Sequence, residues 1–543
     1  MNTSAWWLTA TLALPLAMLL ACLWAPTRER MLGWLAVAPL PALLAALLAE
    51  RGTVVILLEA GAYQASLALD APGALLLGVA ALLWCAAGAY AATYQRGSPN
   101  GGRFAVAWLL CLSGCLGVFL AADMPLLYLM LATMTLGASA LVFHDESAGA
   151  RRAAAIYLGL ALAGETLVLV AMILLAQAAD SWLVRDAAAM LPTLPGRDLI
   201  IVLLLIGFGL KAGLVPLHVW MPLAHAAAPM PASAVLSGVV VKAGIIGLIR
   251  FLPVDPGLSD WGNALAIIGM ATALYAVAIG ITQPHPKVVL AYSSVSQMGF
   301  TAAVIGMGIA HLDAATPVLA AFYATHHILV KGAMFLLVGV VAGTGAGRLR
   351  GTLLLATVLA VGLGGLPFTG GAVAKLAVKG PLGSGWAATV AYVSAIGTTL
   401  LMLHFMRRVA TVAAAQPQQR ASAGLRWPWL LTAVAAIAVP WALYLGLSLG
   451  SLYDLIAPKA LWAGTWPVIV GAALAALLAR VGDRLPRIAP GDVAALIDPA
   501  LRGAGRAGAW MQKTDAQLRE WTVAGIALLT LAALFGAALL AAR

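Results

Sequence analysis

Charge is what this chain is short of. Of its 543 residues only 9% are Asp, Glu, Lys or Arg, against about 25% in a soluble domain. Hydrophobic residues make up 63%, more apolar surface than a water-soluble fold can cover with polar groups. A soluble enzyme, a nucleic-acid binder and a disordered chain are therefore excluded. Cysteine is scarce too. Cys22, Cys85, Cys111 and Cys115 all lie in apolar runs, and Cys111 and Cys115, at i and i+4, read as small hydrophobes on one helix face. Zinc or an iron–sulfur cluster would need more ligands at suitable spacing. The chain has no P-loop and no Gly-x-Gly-x-x-Gly after a strand, its histidines are scattered and its carboxylates few. No catalytic residue, metal or cofactor is expected in it.

What is present is hydrocarbon-length apolar sequence. A span needs about 20 apolar residues, and sixteen candidates can be marked, near 5–25, 33–49, 72–94, 104–122, 124–143, 153–178, 199–222, 228–249, 261–282, 288–310, 314–341, 351–375, 384–406, 427–448, 462–479 and 521–542. The second and fifteenth are short, so the expected fold class is an all-α polytopic membrane protein of about 14–16 transmembrane helices. The formal charge of +11 then bears on orientation. Connections after odd-numbered spans hold twenty Lys and Arg residues. Those after even-numbered spans hold Arg51, Arg185, Arg197, Arg250, Lys379 and Lys459. By the positive-inside rule odd connections are cytoplasmic, with both termini on the other side of a bacterial-type inner (cell) membrane. Met1-Asn2-Thr3-Ser4-Ala5-Trp6-Trp7 lacks a basic leader and reads as part of a retained first span. Residues 51–71 read as an outer-face hairpin. The basic stretch 480–520 reads as an amphipathic segment on the cytoplasmic surface.

Some charges sit in the wrong solvent. Lys211, Lys242, Lys331, Lys375 and Glu165 fall inside candidate spans, and His218, His225, His326, His327 and His404 fall inside or at broken ones. Each ionisable group at the bilayer centre costs at least about 2.5 kcal/mol on insertion scales, and such groups usually mark ion or proton routes. A single lysine could snorkel to the interface, but ten such groups in the central spans call for one another and for shared water. Lysine suits proton relay here, because apolar surroundings and a nearby carboxylate push its proton affinity in opposite directions. Lys211 and His218, seven apart, share a face of a continuous helix; His327 and Lys331 are at i and i+4. Ser293, Ser294 and Gln297 form a polar stripe.

Two spans carry helix breakers. Pro216 follows Lys211, and Pro367, Gly370 and Gly371 precede Lys375; unwound backbone at membrane depth survives only inside protein or beside water. The breaks lie five spans apart. Two five-helix units of opposite topology, each with its fourth helix broken, are therefore expected, an inverted-repeat plan. The expected division is 1–100 for N-terminal helices and hairpin, 101–251 and 252–410 for the repeats, and 411–543 for C-terminal helices with the amphipathic segment.

Several motifs carry a resemblance. Lys211-Ala-Gly-Leu-Val-Pro-Leu-His218-Val-Trp-Met-Pro-Leu-Ala-His225, Val241-Lys242-Ala-Gly through Arg250-Phe251, Ala291-Tyr292-Ser293-Ser294-Val295-Ser296-Gln297-Met298-Gly299, His327-Ile-Leu-Val-Lys331 and Gly365-Leu366-Pro367 with Lys375 resemble the antiporter-like, proton-translocating membrane subunits of respiratory complex I, Mrp-type antiporters and membrane-bound [NiFe] hydrogenases. Val241-Lys242 and the C-terminal extension lean towards the hydrogenase or Mrp branch. The resemblance implies a proton relay of Glu165, Lys211, His218, Lys242, His327, Lys331, Lys375 and His404, in which Lys211 is the carrier of one half-channel and Lys375 the exit. It also implies membrane partners and a soluble energy-supplying subunit, such as a hydrogenase, a quinone reductase or a zinc protein. Other expectations are a membrane scaffold in an inorganic-carbon uptake complex with a soluble zinc partner, and a sodium/proton antiporter subunit. The family usually carries Glu on the fifth span, where this chain has Ala132 in Leu131-Ala132-Thr133-Met134; Gln297 stands where some relatives have His. Glu165, on the next helix, is the available substitute for that Glu.

Overall fold

The computed structural model describes residues 3–60, 63–481, 486 and 488–491. The last candidate span, and all but a few residues of the 480–520 segment, lie outside these. The chain divides into units Met1–Pro490 and Gly491–Arg543, and every element named below belongs to the first. Among the described residues thirteen helices are long and apolar enough to cross a bilayer, and the chain is a helical multi-pass integral membrane protein.

The second candidate span is not one helix. Gly33, Pro39 and Pro41 interrupt it, since proline lacks an N–H and glycine disfavours helix. After α1 (Thr3–Ala21) comes a 3₁₀ turn, Met31–Trp34, then irregular chain and α2 (Leu40–Leu48). The element still runs antiparallel along α3 (Ala71–Tyr94): Leu35 packs at Gly88 and Ala46 at Gly78. Between α2 and α3 lies an antiparallel pair, β1 (Val54–Ala60) and β2 (Tyr63–Ala68), with Val54 opposite Ala68 and a register shift between Ile56 and Leu58.

Next come α4 (Gly101–Leu120), α5 (Met124–Phe143) and α6 (Ala148–Ala179). Asp123 caps α5, accepting from Leu126 N–H (2.8 Å) while its other oxygen accepts from the Ser66 N–H (2.5 Å) and hydroxyl (3.1 Å). This fully buried carboxylate fastens the strand pair to the helix bundle. Asp123→Ala leaves these donors unmatched and should cost about 2–4 kcal/mol. A lowered unfolding temperature in detergent, only partly restored in Asp123→Asn because a single amide oxygen accepts from one side alone, would bear this out; an unchanged melt would refute it.

The seventh span breaks into α7 (Arg197–Ala212), a 3₁₀ turn Leu217–Val219 and α8 (Trp220–Ala227). It is followed by α9 (Met230–Phe251), which contains a π turn at Leu236–Val240. Arg250 near its end pairs with Asp70, the cap of α3 (2.8 Å), and donates to the terminal carbonyls of α4 at Phe119 (2.6 Å) and Val118 (3.0 Å). Then come α10 (Ser259–Gly280), α11 (Pro286–Ala310) and α12 (Thr316–Ala342). Gly262 and Gly269 of α10 lie against Gly306 and Gly299 of α11, and a Cβ on any of the four would strike the opposite backbone; such small-residue seams bring membrane helices close.

The second interrupted span is α13 (Arg350–Gly364) and α14 (Gly370–Ala377), followed by α15 (Trp386–Ala410), α16 (Ala423–Gly446) and α17 (Pro458–Val481). The helix ends differ from expectation. Gly213 (φ +79°) and Gly365 (φ +107°) terminate α7 and α13 in the left-handed region, which glycine enters without a Cβ clash. Pro216 and Pro367 come after those ends, and Gly370 and Gly371 begin α14 instead of interrupting a helix. Their lack of a side chain serves close approach: α14 packs there on Gly362, Ala436 and the His326 ring. α9, α11 and α12 are enclosed by protein along their apolar length, whereas α1 and α17 are mostly uncovered. The enclosed helices carry Lys242, Lys287, His326, His327 and Lys331.

Candidate functional site

Lys211 ends α7 within the bundle, buried against α5 and α6. Its ammonium lies 2.8 Å from Glu165 Oε1 and also donates to the Thr135 hydroxyl, which donates to the same carboxylate oxygen. All three residues are at most 4% exposed. Glu165, the only carboxylate well inside a candidate span, thus stands beside Lys211. Ala132, where the resemblance implies Glu, is only partly buried; Thr135, nearly one turn on, is the residue of α5 that reaches the pair. Sequence reasoning missed Thr135, because a membrane-helix threonine ordinarily bonds its own i−4 carbonyl and nothing in its letters marks it.

The break separates Lys211 from His218. The two do not share a face of one continuous helix, as their spacing suggested, because Gly213 ends α7 and His218 lies on the 3₁₀ turn. His218 is buried between the rings of Tyr275 (5.5 Å) and Tyr292 (6.0 Å).

A second cluster joins α9, α11 and α12. Lys242 donates to the Ser237 carbonyl (3.0 Å), in the π turn, and meets His327 Nδ1 at 2.5 Å. A π turn carries an extra residue, which here turns both the Ser237 carbonyl and hydroxyl to use. That hydroxyl bonds Ser294 Oγ (2.7 Å), Ser294 donates to the Leu290 carbonyl (3.0 Å), and Lys331 donates to the same carbonyl (3.2 Å). His225 lies fully buried on the Phe335 ring (4.9 Å). Lys287, which the charge count placed in a cytoplasmic connection, is instead buried in the first turn of α11 and donates to the Ala228 carbonyl (2.6 Å). Its position beside His285 and Pro286 disguised it as a loop residue.

Beyond Lys331 the polar stripe of α11 continues. Tyr323 donates to Gln297 Oε1 (2.6 Å), and the Gln297 amide donates to Thr398 (3.0 Å). Lys375 folds back to the Gly364 carbonyl (2.9 Å), just before the second break, and is partly exposed to a cavity of about 530 Å³. His404 is not brought to Lys375; it bonds the Gln283 carbonyl (3.0 Å) at the opposite end of α11. Buried polar atoms without a protein hydrogen-bond partner among the described residues include Glu165 Oε2, both nitrogens of His225, His327 Nε2 and Gln283 Oε1. Among the described residues no group of three or more His, Cys, Asp or Glu could hold a metal ion.

Residues 121–403, just over half of the chain, match the family described as NADH:quinone oxidoreductase/Mrp antiporter, transmembrane. Hydrogenase-4 component B of Escherichia coli (strain K12) is 30% identical over 298 residues, covering 51% of this chain and 43% of that protein. NADH-quinone oxidoreductase subunit N of Desulforudis audaxviator is 31% identical over 280 residues, 49% of this chain and 54% of that one. A chain of the Mrp complex from Dietzia sp. DQ12-45-1b superposes with a TM-score of 0.78 at 25% identity, covering 99% of this chain and 63% of its own. This chain therefore spans less than two thirds of each of these relatives.

Proposed function

Since the chain belongs to the NADH:quinone oxidoreductase/Mrp antiporter transmembrane family, we propose that it is a proton-conducting membrane subunit of a multisubunit ion-translocating complex, driven by redox chemistry in partner subunits. The observation that carries this reading is the buried Lys211–Glu165 pair at 2.8 Å, bridged by Thr135. An ion pair removed from water is a costly way to gain stability, and it is a useful way to hold a proton that can be passed on. A charge arriving near Glu165 loosens its hold on the lysine ammonium, and the proton leaves towards the next carrier.

The next carriers are Lys242 and His327, already in contact, then Lys331. From there the hydroxyl and amide groups of Tyr323, Gln297 and Thr398 lead towards Lys375 and its cavity. His218 bridges the first break to the central cluster. Buried polar atoms require partners, and water would satisfy the unmatched ones on Glu165, His225 and His327. Residues 101–251 and 252–410 act in this reading as inverted units, each interrupted beside its lysine. The membrane is the cell membrane, with the odd-numbered connections on the cytoplasmic side. Membrane partners hold this subunit beside an energy-supplying one.

Lys331→Ala tests the relay. Serine and histidine neighbours remain to hold water, so proton delivery by the assembled complex in vesicles should fall by about tenfold, about 1.4 kcal/mol of added barrier. Assembly should be unchanged by size-exclusion chromatography. Normal acidification by the assembled variant would sink the assignment.

A further inference from the structure

The cavity beside Lys375 has a chemistry that proton release does not need. Three lysines border it, Lys375, Lys379 and Lys459, with no Asp or Glu among its lining residues. Lys379 lies between α14 and α15 and Lys459 in the first turn of α17, and among the described residues neither has an ion pair. Asp313 turns its Oδ2 towards Gly380 while its Oδ1 accepts the Ala315 N–H (3.0 Å), and it pairs with neither lysine. Partial burial and the neighbouring Lys459 charge hold the Lys379 ammonium below its ordinary pKa. Two like charges have thus converged on a side of the bundle where basic residues are few.

The rest of the lining is apolar, with Phe300, Phe368, Leu376 and Trp441 among it. Phe368 of the lining is exposed, and so are Trp386, Tyr453 and Trp462, which stand one or two residues along the chain from the lining residues Ser384, Leu455 and Leu461. Exposed Trp and Tyr favour the headgroup level of a bilayer, where an amphipathic ring has both solvents. A basic pair in that zone, above an apolar wall, matches a molecule with an anionic head and a hydrocarbon tail.

We propose that this cavity binds an anionic phospholipid, its phosphate between the Lys379 and Lys459 ammonium groups and an acyl chain along Phe300, Phe368 and Trp441. Binding stands independently of the proton-relay reading. One consequence rests on that reading: a phosphate here would set the field at Lys375 and so the ease of proton release.

The test is native mass spectrometry of the purified full chain titrated with phosphatidylglycerol or phosphatidylcholine. Phosphatidylglycerol should be retained about tenfold better. Lys379→Ala with Lys459→Ala should erase that preference, and Lys379→Arg with Lys459→Arg should keep it, which separates charge from folding. Equal retention of the two lipids, or an unchanged preference in the double alanine variant, overturns the proposal. Displacement of phosphatidylglycerol by millimolar inorganic phosphate also overturns it, since the occupant would then be a soluble anion. Because the readout is bound lipid, failure of the relay would leave this result untouched.

Discussion

Lys211→Ala should reduce proton movement through the assembled complex by about 100-fold or more. The alanine methyl cannot hold a proton, and a 100-fold loss corresponds to about 2.7 kcal/mol of added barrier. Loss of the ammonium also strips the Thr135–Glu165 corner of its positive charge. The decisive control is Lys211→Arg. A guanidinium keeps the ion pair and the fold, yet it cannot give up its proton. If Lys211 carries protons, the arginine variant assembles and melts normally but conducts no better than the alanine one, as read by acidification of vesicles. An arginine variant that conducts at the wild-type rate would show Lys211 to be a structural counter-charge.

Glu165→Gln should come close to that loss, about 30-fold or more, because the amide keeps the volume and can still bond Thr135 but leaves the ammonium without its counter-charge. Ala132→Glu should do far less, since Ala132 is partly exposed while Thr135 occupies the side of α5 that meets Lys211. Placing both substitutions in one chain should not restore conduction. Full recovery in that double variant would mean that the carboxylate works equally well from the fifth span, and that its position on α6 has no mechanistic weight.

How much of this was legible in the letters differs by physical cause. The spans were legible because hydrocarbon length leaves a coarse signal, and even the second candidate, interrupted at Gly33, Pro39 and Pro41, runs the length of its neighbour. The buried lysines were legible because a charge inside an apolar run has few explanations. The helix ends were legible only to within a few residues: the prolines draw the eye, but left-handed Gly213 and Gly365 stop the helices first. What could not be read was who meets whom. The Thr135 bridge, the Lys242–His327 contact and the use of Ser237 depend on how helices far apart in sequence pack. Lys287 shows the opposite error, a buried group disguised by neighbours that look like a connection. His404 bonds the Gln283 carbonyl, a partner that its position in the sequence did not disclose.

The glycine seam between α10 and α11 has a mechanical corollary. With main chain resting on main chain there are no intervening rotamers to yield, so the two rods cannot slide without collision and behave as one stiff plate. Any rearrangement that follows a passing charge must be absorbed elsewhere. The short stubs beyond Gly213 and Gly365, each cut loose from the rod before it, are the hinges this architecture leaves available.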